Sequence, residues 1–156
     1  MNVFLSCTKE KESKRCKAKE MYMPSSLFSK SYEYAQSLNP DKIYILSAKH
    51  HLLNPNTEIN PYNAYLGDFS EEKKKEWADE VYKEMKAAHI DFNAKTYFFA
   101  GEDYIKYLRD YFPNRKEIFK GKQIGDILHW IDRKLPKKTD EGMKSLRSFI
   151  KESLER

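Results

Sequence analysis

Five residues bring a hydroxyl, an amine and two imidazoles together: Ser47, Ala48, Lys49, His50 and His51. No other stretch of the chain crowds those three chemistries so closely. Lys49 can hold a phosphate or stabilise developing negative charge; a plain surface lysine is the alternative. His50 can act as a general acid or base, or stand in solvent as a bystander. A second constellation, Ser6, Cys7 and Thr8, carries N–H and hydroxyl groups that can meet a phosphate or a base edge. Cys7 is a candidate nucleophile if Lys49 or His50 lies near enough to favour its thiolate; otherwise it is a small buried residue closing a strand. A third constellation is Ala100, Gly101 and Glu102, where Glu102 either balances Lys49, acts as a base, or is simply a first-turn helix acid. Tyr22 and Tyr62 offer a ring face and a polar tip for a base, or pack in the core. Ser25 is a helix cap, or a hydroxyl aimed with the helix dipole at an anion.

All three constellations follow apolar runs that read as strands: Asn2 to Leu5, Ile43 to Leu46 and Thr96 to Ala100. Ile43 to Leu46 is apolar enough to predict burial on both faces. Leu52, Leu53 and Pro55 return to apolar packing, and Asn60, Pro61 and Tyr62 form a rigid turn. Ser25 or Ser26 opens a helix with Leu27, Phe28, Ser31, Tyr34, Ala35 and Leu38 on one face. Asn39 and Pro40 stop it. Ser70, Glu71 and Glu72 open another, with Trp77, Val81 and Met85 as its buried stripe and Lys73, Lys74 and Lys75 facing solvent. A third helix is predicted from Glu102 to Tyr111, ended by Pro113. Lys116 to Phe119 reads as a short fourth strand, and Gly121, Ile124, Gly125, Leu128 and Ile131 as a further helical face. A final amphipathic helix is predicted over residues 140–155. The alternation predicts one α/β domain over residues 1–156, core about 1–135. Its form is three-layer α/β/α with a mostly parallel, roughly four-stranded sheet. Ligands bind beyond the carboxyl ends of such strands, so the three termini should converge, with the Ile43 strand central.

The chain has 156 residues, a formal net charge of +5 and a pI near 9.0. Eleven Tyr, nine Phe and only five Gly exclude a disordered or fibrous class. Lysine and glutamate are interspersed, so the basic balance fits either a polyanionic partner or solubility alone. The loop from Lys9 to Lys19, with six Lys or Arg, is solvated and mobile or faces an anion. Two cysteines, Cys7 and Cys16, without recognised ligand spacing, give no expectation of a metal or other cofactor. No signal-peptide or membrane-length apolar stretch is visible, which leads to the expectation of a reduced, cytoplasmic protein with no membrane partner.

Several spaced motifs agree in order: S-C-T-K at Ser6 to Lys9, then Tyr22, Ser25 and Phe28, then I-L-S-A-K-x-x-L-L at Ile45 to Leu53, then Pro61–Tyr62. With Ala100, Gly101 and Tyr104, and Gly121, Gly125, Leu128 and Trp130, the pattern resembles a bacterial and phage domain family of unknown function. That family is similar to the catalytic region of archaeosine synthase and to the uracil-DNA-glycosylase-like α/β fold. The resemblance implies a pocket for a nucleobase or nucleotide, and adds Gly101 and Tyr104 to Ser6, Thr8, Tyr22, Ser25, Ser47 and Tyr62 as its binding set. The family usually has glycine where His51 stands, so His51 would narrow a corner where backbone approaches ligand. The water-activating Asp of G-Q-D-P-Y is absent, which argues against classical uracil excision.

The expectation is therefore an enzyme acting on a nucleobase, nucleoside or nucleotide, with Cys7, Lys49, His50 and Glu102 as catalytic candidates. The alternative is a non-catalytic nucleic-acid-binding module, phage or defence related, using the basic loop and the Lys/Arg-rich tail.

Overall fold

In the computed structural model, which describes residues 1–135, the chain is a mixed α/β fold around a five-stranded sheet. The elements run β1 (Asn2–Ser6), β2 (Cys16–Lys17), α1 (Ala18–Met21), α2 (Ser26–Ser37), β3 (Lys42–Ser47), β4 (His51–Leu53), β5 (Glu58–Ile59), α3 (Glu71–Ala87), β6 (Thr96–Phe99), α4 (Glu102–Ile105), β7 (Arg115–Glu117) and α5 (Ile124–Lys134). The strand order is β4-β3-β1-β6-β7, with only β4 antiparallel to its neighbour. The helix expected over residues 140–155 lies outside the described residues.

β1 is the centre of the sheet, hydrogen-bonded in parallel to β3 on one side and β6 on the other. Its sequence explains that: Asn2 through Leu5 are all buried, as a strand with two neighbours and two covered faces requires. The Ile43 strand was expected there. It is instead flanked by β1 and by the short antiparallel β4, and its first residues, Lys42, Ile43 and Tyr44, are only half-buried. Phe4 of β1, Phe98 of β6 and Phe112 stack as a triad with centroids 5.2–5.5 Å apart. Each buried ring contributes about 1.5–3 kcal/mol by leaving water.

Ser25 caps α2 by accepting from the Phe28 amide at 3.3 Å, and Ser70 caps α3 from the Lys73 amide at 3.2 Å. α2 packs on β1 and α5, and α3 on β4 and α4. The buried face of α3 holds Trp77, Ala78, Val81, Met85 and also Lys74. Lys74 thus departs from the expected solvent-facing run, and its ammonium is held 2.9 Å from Asp103 and 3.3 Å from Glu71. The expected long helix after Glu102 is broken: α4 spans four residues and the chain tightens into a 3-10 turn at Arg109–Tyr111. Pro113 forces Phe112 out of helical backbone, and Phe112 drops into the core.

The Lys9 to Lys19 segment is pinned along its second half. Cys16 and Lys17 pair antiparallel with Ile59 and Glu58, and the amides of Ala18 and Lys19 donate to Thr57 and Pro55 carbonyls. A two-residue pairing leaves no periodic signal in sequence. Among the described residues, no helix is long and apolar enough to cross a membrane.

Candidate functional site

The chain leaves β1 toward β3, crosses back, and adds β6 on the opposite side of β1. Connections that diverge from adjacent strands leave a crevice outside their carboxyl ends. A cleft of about 700 Å³ lies there. Its floor is Ser6, Cys7 and Thr8 from the end of β1, and Ala100, Gly101 and Glu102 from the end of β6. Ser25, Ser26 and Leu27 at the start of α2 and Tyr65 line it further. So do Phe119, Lys120, Gly121 and Lys122 after β7, and Ile124, Ile127 and Leu128 of α5. Ile124 keeps 62 % of its surface exposed.

Cys7 is buried, and its Sγ lies 3.2 Å from the Tyr104 hydroxyl, also a cleft residue. Burial raises the Tyr104 phenol above its ordinary pKa, so it stays a neutral hydroxyl at any working pH. Gly101 caps the start of α4, and a Cβ added to it would meet no atom within 4 Å, which leaves backbone open to a ligand. A Cβ at Gly67 would instead come within 2.5 Å of the Tyr65 ring, so glycine there lets Tyr65 hold its place in the cleft lining.

Glu102 reaches the cleft, but its carboxylate is gripped by Arg109 at 2.8 and 2.5 Å. That pairing holds its pKa below the usual carboxylate range and makes it a weak base. Arg109 also binds Glu117 at 2.8 Å, and Arg115 binds Glu117 at 2.9 Å. Glu102 is thus a first-turn acid of α4 balanced by Arg109.

The end of β3 forms a different cluster. The Tyr22 and Tyr62 hydroxyls are 2.6 Å apart, and Tyr62 meets Ser47 Oγ at 2.9 Å. Ser47 Oγ also accepts from the amides of His50 at 2.9 Å and Lys49 at 3.3 Å, so it caps the turn into β4. The Ser47 carbonyl accepts from Trp77 Nε1 at 2.9 Å. The ammonium groups of Lys11 and Lys49 stand 4.7 and 5.9 Å from the Tyr62 ring centre, and the His50 ring meets it edge-on at 5.4 Å. Burial, then the charges of Lys49 and His51, lowers the His50 pKa and favours a neutral imidazole. Burial likewise raises Tyr22 and Tyr62 and lowers Lys11.

Of the residues singled out from sequence, Ser6, Cys7, Thr8, Ser25, Gly101, Glu102 and Tyr104 share the cleft. Tyr22, Ser47, Lys49, His50 and Tyr62 do not line it. Cys7 is the joint: it lies close enough to Tyr22, Tyr62 and Lys11, as well as to Tyr104, to interact with each electrostatically. His51 has φ +58, the left-handed region that glycine adopts freely. The turn geometry therefore accounts for a glycine at this position without any ligand. Sequence reasoning passed over Tyr65, Phe119, Lys120 and Lys122. The signal was present, because the fourth strand, like the other three, ends in a polar loop, K-G-K at Lys120 to Lys122. Among the described residues, no three His, Cys, Asp or Glu side chains gather as a metal would need.

The motif residues thus sort into two neighbouring clusters, and a family model matches residues 3–133, the stretch that holds them. The chain belongs to the DUF6884 family, a family of unknown function. No curated protein and no solved structure matches it significantly. Within this DUF6884 chain, the S-C-T-K and A-G-x-x-Y segments build the cleft, while S-A-K and P-Y build the hydroxyl cluster.

Proposed function

We propose that this DUF6884 chain is an enzyme handling a nucleobase, nucleoside or nucleotide, through chemistry at the glycosidic bond or on the base. The observation that carries the reading is the thiol of Cys7, bonded to the Tyr104 hydroxyl, on the floor of a cleft at the divergence of β1 and β6. About 700 Å³ is within the size range of small-ligand sites, roughly 300–1,000 Å³. Apolar walls at Leu27, Phe119 and Ile127 suit a base, and Lys9, Lys120 and Lys122 suit phosphate. Cys7 is the nucleophile candidate, Tyr104 its hydrogen-bond partner, and Ser6, Thr8, Ser25 and the Gly101 backbone the binding groups. Lys49 and His50 act on this reading from behind Cys7, through the Tyr62 cluster. A three-layer α/β/α arrangement of the uracil-DNA-glycosylase-like kind, akin to the archaeosine synthase catalytic region, is the fold reading that goes with it. Its support is the motif order and the packing of α2 on β1 and of α3 on β4.

A thermal-shift panel of nucleobases, nucleosides and nucleotides tests the reading. A ligand at one hundred times its Kd stabilises by about 2.7 kcal/mol. For a chain of this size that is roughly 5–11 °C in Tm. Gly101→Leu, which adds a side chain where a Cβ meets no neighbour, should abolish the shift and keep the fold. A panel with no shift for the wild type sinks the proposal. Salt-sensitive polynucleotide binding without conversion favours the non-catalytic nucleic-acid-binding module instead.

A further inference from the structure

Beyond the cleft rim, four lysines crowd a small area. The ammonium groups of Lys116, Lys122 and Lys134 lie 6.0, 5.6 and 5.6 Å from the centre of the Trp130 ring. Lys120 sits between β7 and α5, on the cleft wall. Among the described residues, none of the four makes an ion pair with a carboxylate; Lys122 donates to the Ile118 carbonyl at 3.1 Å. Two neighbouring acids are engaged elsewhere: Glu117 holds Arg109 and Arg115, and Asp132 holds Lys30 at 2.8 Å; Asp126, one helical turn before Trp130, is a single charge against four. Like charges gathered round one ring repel, and the ring's negative face offsets only part of that. A polyanion would supply what the protein does not.

The patch is continuous with the cleft. A second depression, about 430 Å³, is lined by Pro113, Arg115, Lys116, Glu117 and Lys120. Glu117 and Lys120 line the cleft as well, and Lys122 belongs both to the cleft and to the Trp130 cluster. Lysine on an edge strand such as β7 also blunts strand addition. That accounts for Lys116 alone, since Lys120, Lys122 and Lys134 are not on the strand.

We infer that this basic face is a track for one nucleic-acid strand, leading its backbone past Lys116 and Lys120 to Lys122 at the cleft. The substrate is then a base carried in a polynucleotide and not a free nucleotide, a conclusion that rests on the function proposed above. The track itself stands on the lysines.

Fluorescence anisotropy with labelled 20-nucleotide DNA and RNA single strands, from 50 to 300 mM salt, tests it. Gln replaces Lys at 116, 122 and 134, keeping most of each stem; the same change at the exposed Lys73, Lys83 and Lys86 of α3 is the control. The patch variant should lose at least tenfold in affinity, with its log–log salt slope smaller by about 2, as three phosphate contacts on a single strand require. The α3 variant should bind within twofold of wild type. Equal losses in both variants, or none in the patch variant, overturn the inference. Nucleobase and nucleoside thermal shifts, which carry no phosphate for Lys122 to hold, are measured on the same proteins and separate the two proposals. A shift intact in the patch variant supports both. Patch-dependent strand binding with no shift for any small ligand in wild type keeps the track and removes the enzyme reading.

Discussion

Tyr62→Phe removes one oxygen and breaks two hydrogen bonds, to Tyr22 at 2.6 Å and to Ser47 Oγ at 2.9 Å. Ser47 Oγ keeps the two backbone donors of the turn. The Tyr22 hydroxyl, on a fully buried residue, is then left with only the more distant Ser47 hydroxyl. An orphaned buried polar group costs about 1–3 kcal/mol, and a lost net hydrogen bond about 1. Tyr62→Phe should therefore destabilise by about 2–3 kcal/mol, a Tm drop of roughly 4–12 °C. Tyr22→Phe leaves Tyr62 still bonded to Ser47 and should cost about 1 kcal/mol. In the double variant the Tyr22 hydroxyl is gone, so the total should fall short of the sum by about 1 kcal/mol. Urea unfolding of the four proteins at pH 7.5 measures this; both phenols have raised pKa values and are neutral there. Strictly additive losses, or less than about 0.5 kcal/mol for Tyr62→Phe, refute the reasoning, since the hydroxyl would then be free to serve a ligand.

His51 and His50 give two further predictions. At φ +58, His51→Val should cost about 1–2 kcal/mol, whereas His51→Gly should change stability by less than about 0.5, strain relief offsetting backbone entropy; equal effects in urea unfolding would remove the turn argument. Burial depresses the His50 pKa, so folding favours the neutral ring: its contribution is present above the unfolded value, about 6.5, and is lost as pH falls from there toward the folded pKa. The wild type should therefore lose more stability than His50→Asn between pH 7.5 and 5.5, and identical pH profiles would contradict this.

Two of the three strand termini were legible as a site because apolar runs ended in small residues, at Ser6–Thr8 and Ala100–Gly101. The third was misplaced for want of strand order. Nothing in Ile43 to Leu46 tells that β6 joins the far side of β1, and the cleft follows the divergence. The turn-capping role of Ser47, whose hydroxyl accepts from the amides three and two residues on, has no signature in residue type alone. Lys74 was readable: it stands three and four residues before Trp77 and Ala78, on the same helical face. Its charge outweighed its position, and the partner that makes burial tolerable, Asp103, lies 29 residues away. The single stretch His50–His51 concealed two separate facts, a desolvated imidazole and a left-handed backbone, which no residue-type pattern distinguishes.

The central position of β1 also sets an order of events in time. Its partners follow it in the chain by some 40 residues in β3 and by 94 between Asn2 and Thr96. As the chain emerges during synthesis, the central strand comes before all its partners and waits with one edge open until residue 99 is available. Such non-local parallel pairing is slow, and the waiting edge is a site for misassociation. The cleft lies at the second of the two seams of β1, between β1 and β6. Any opening that parts those two strands removes its floor.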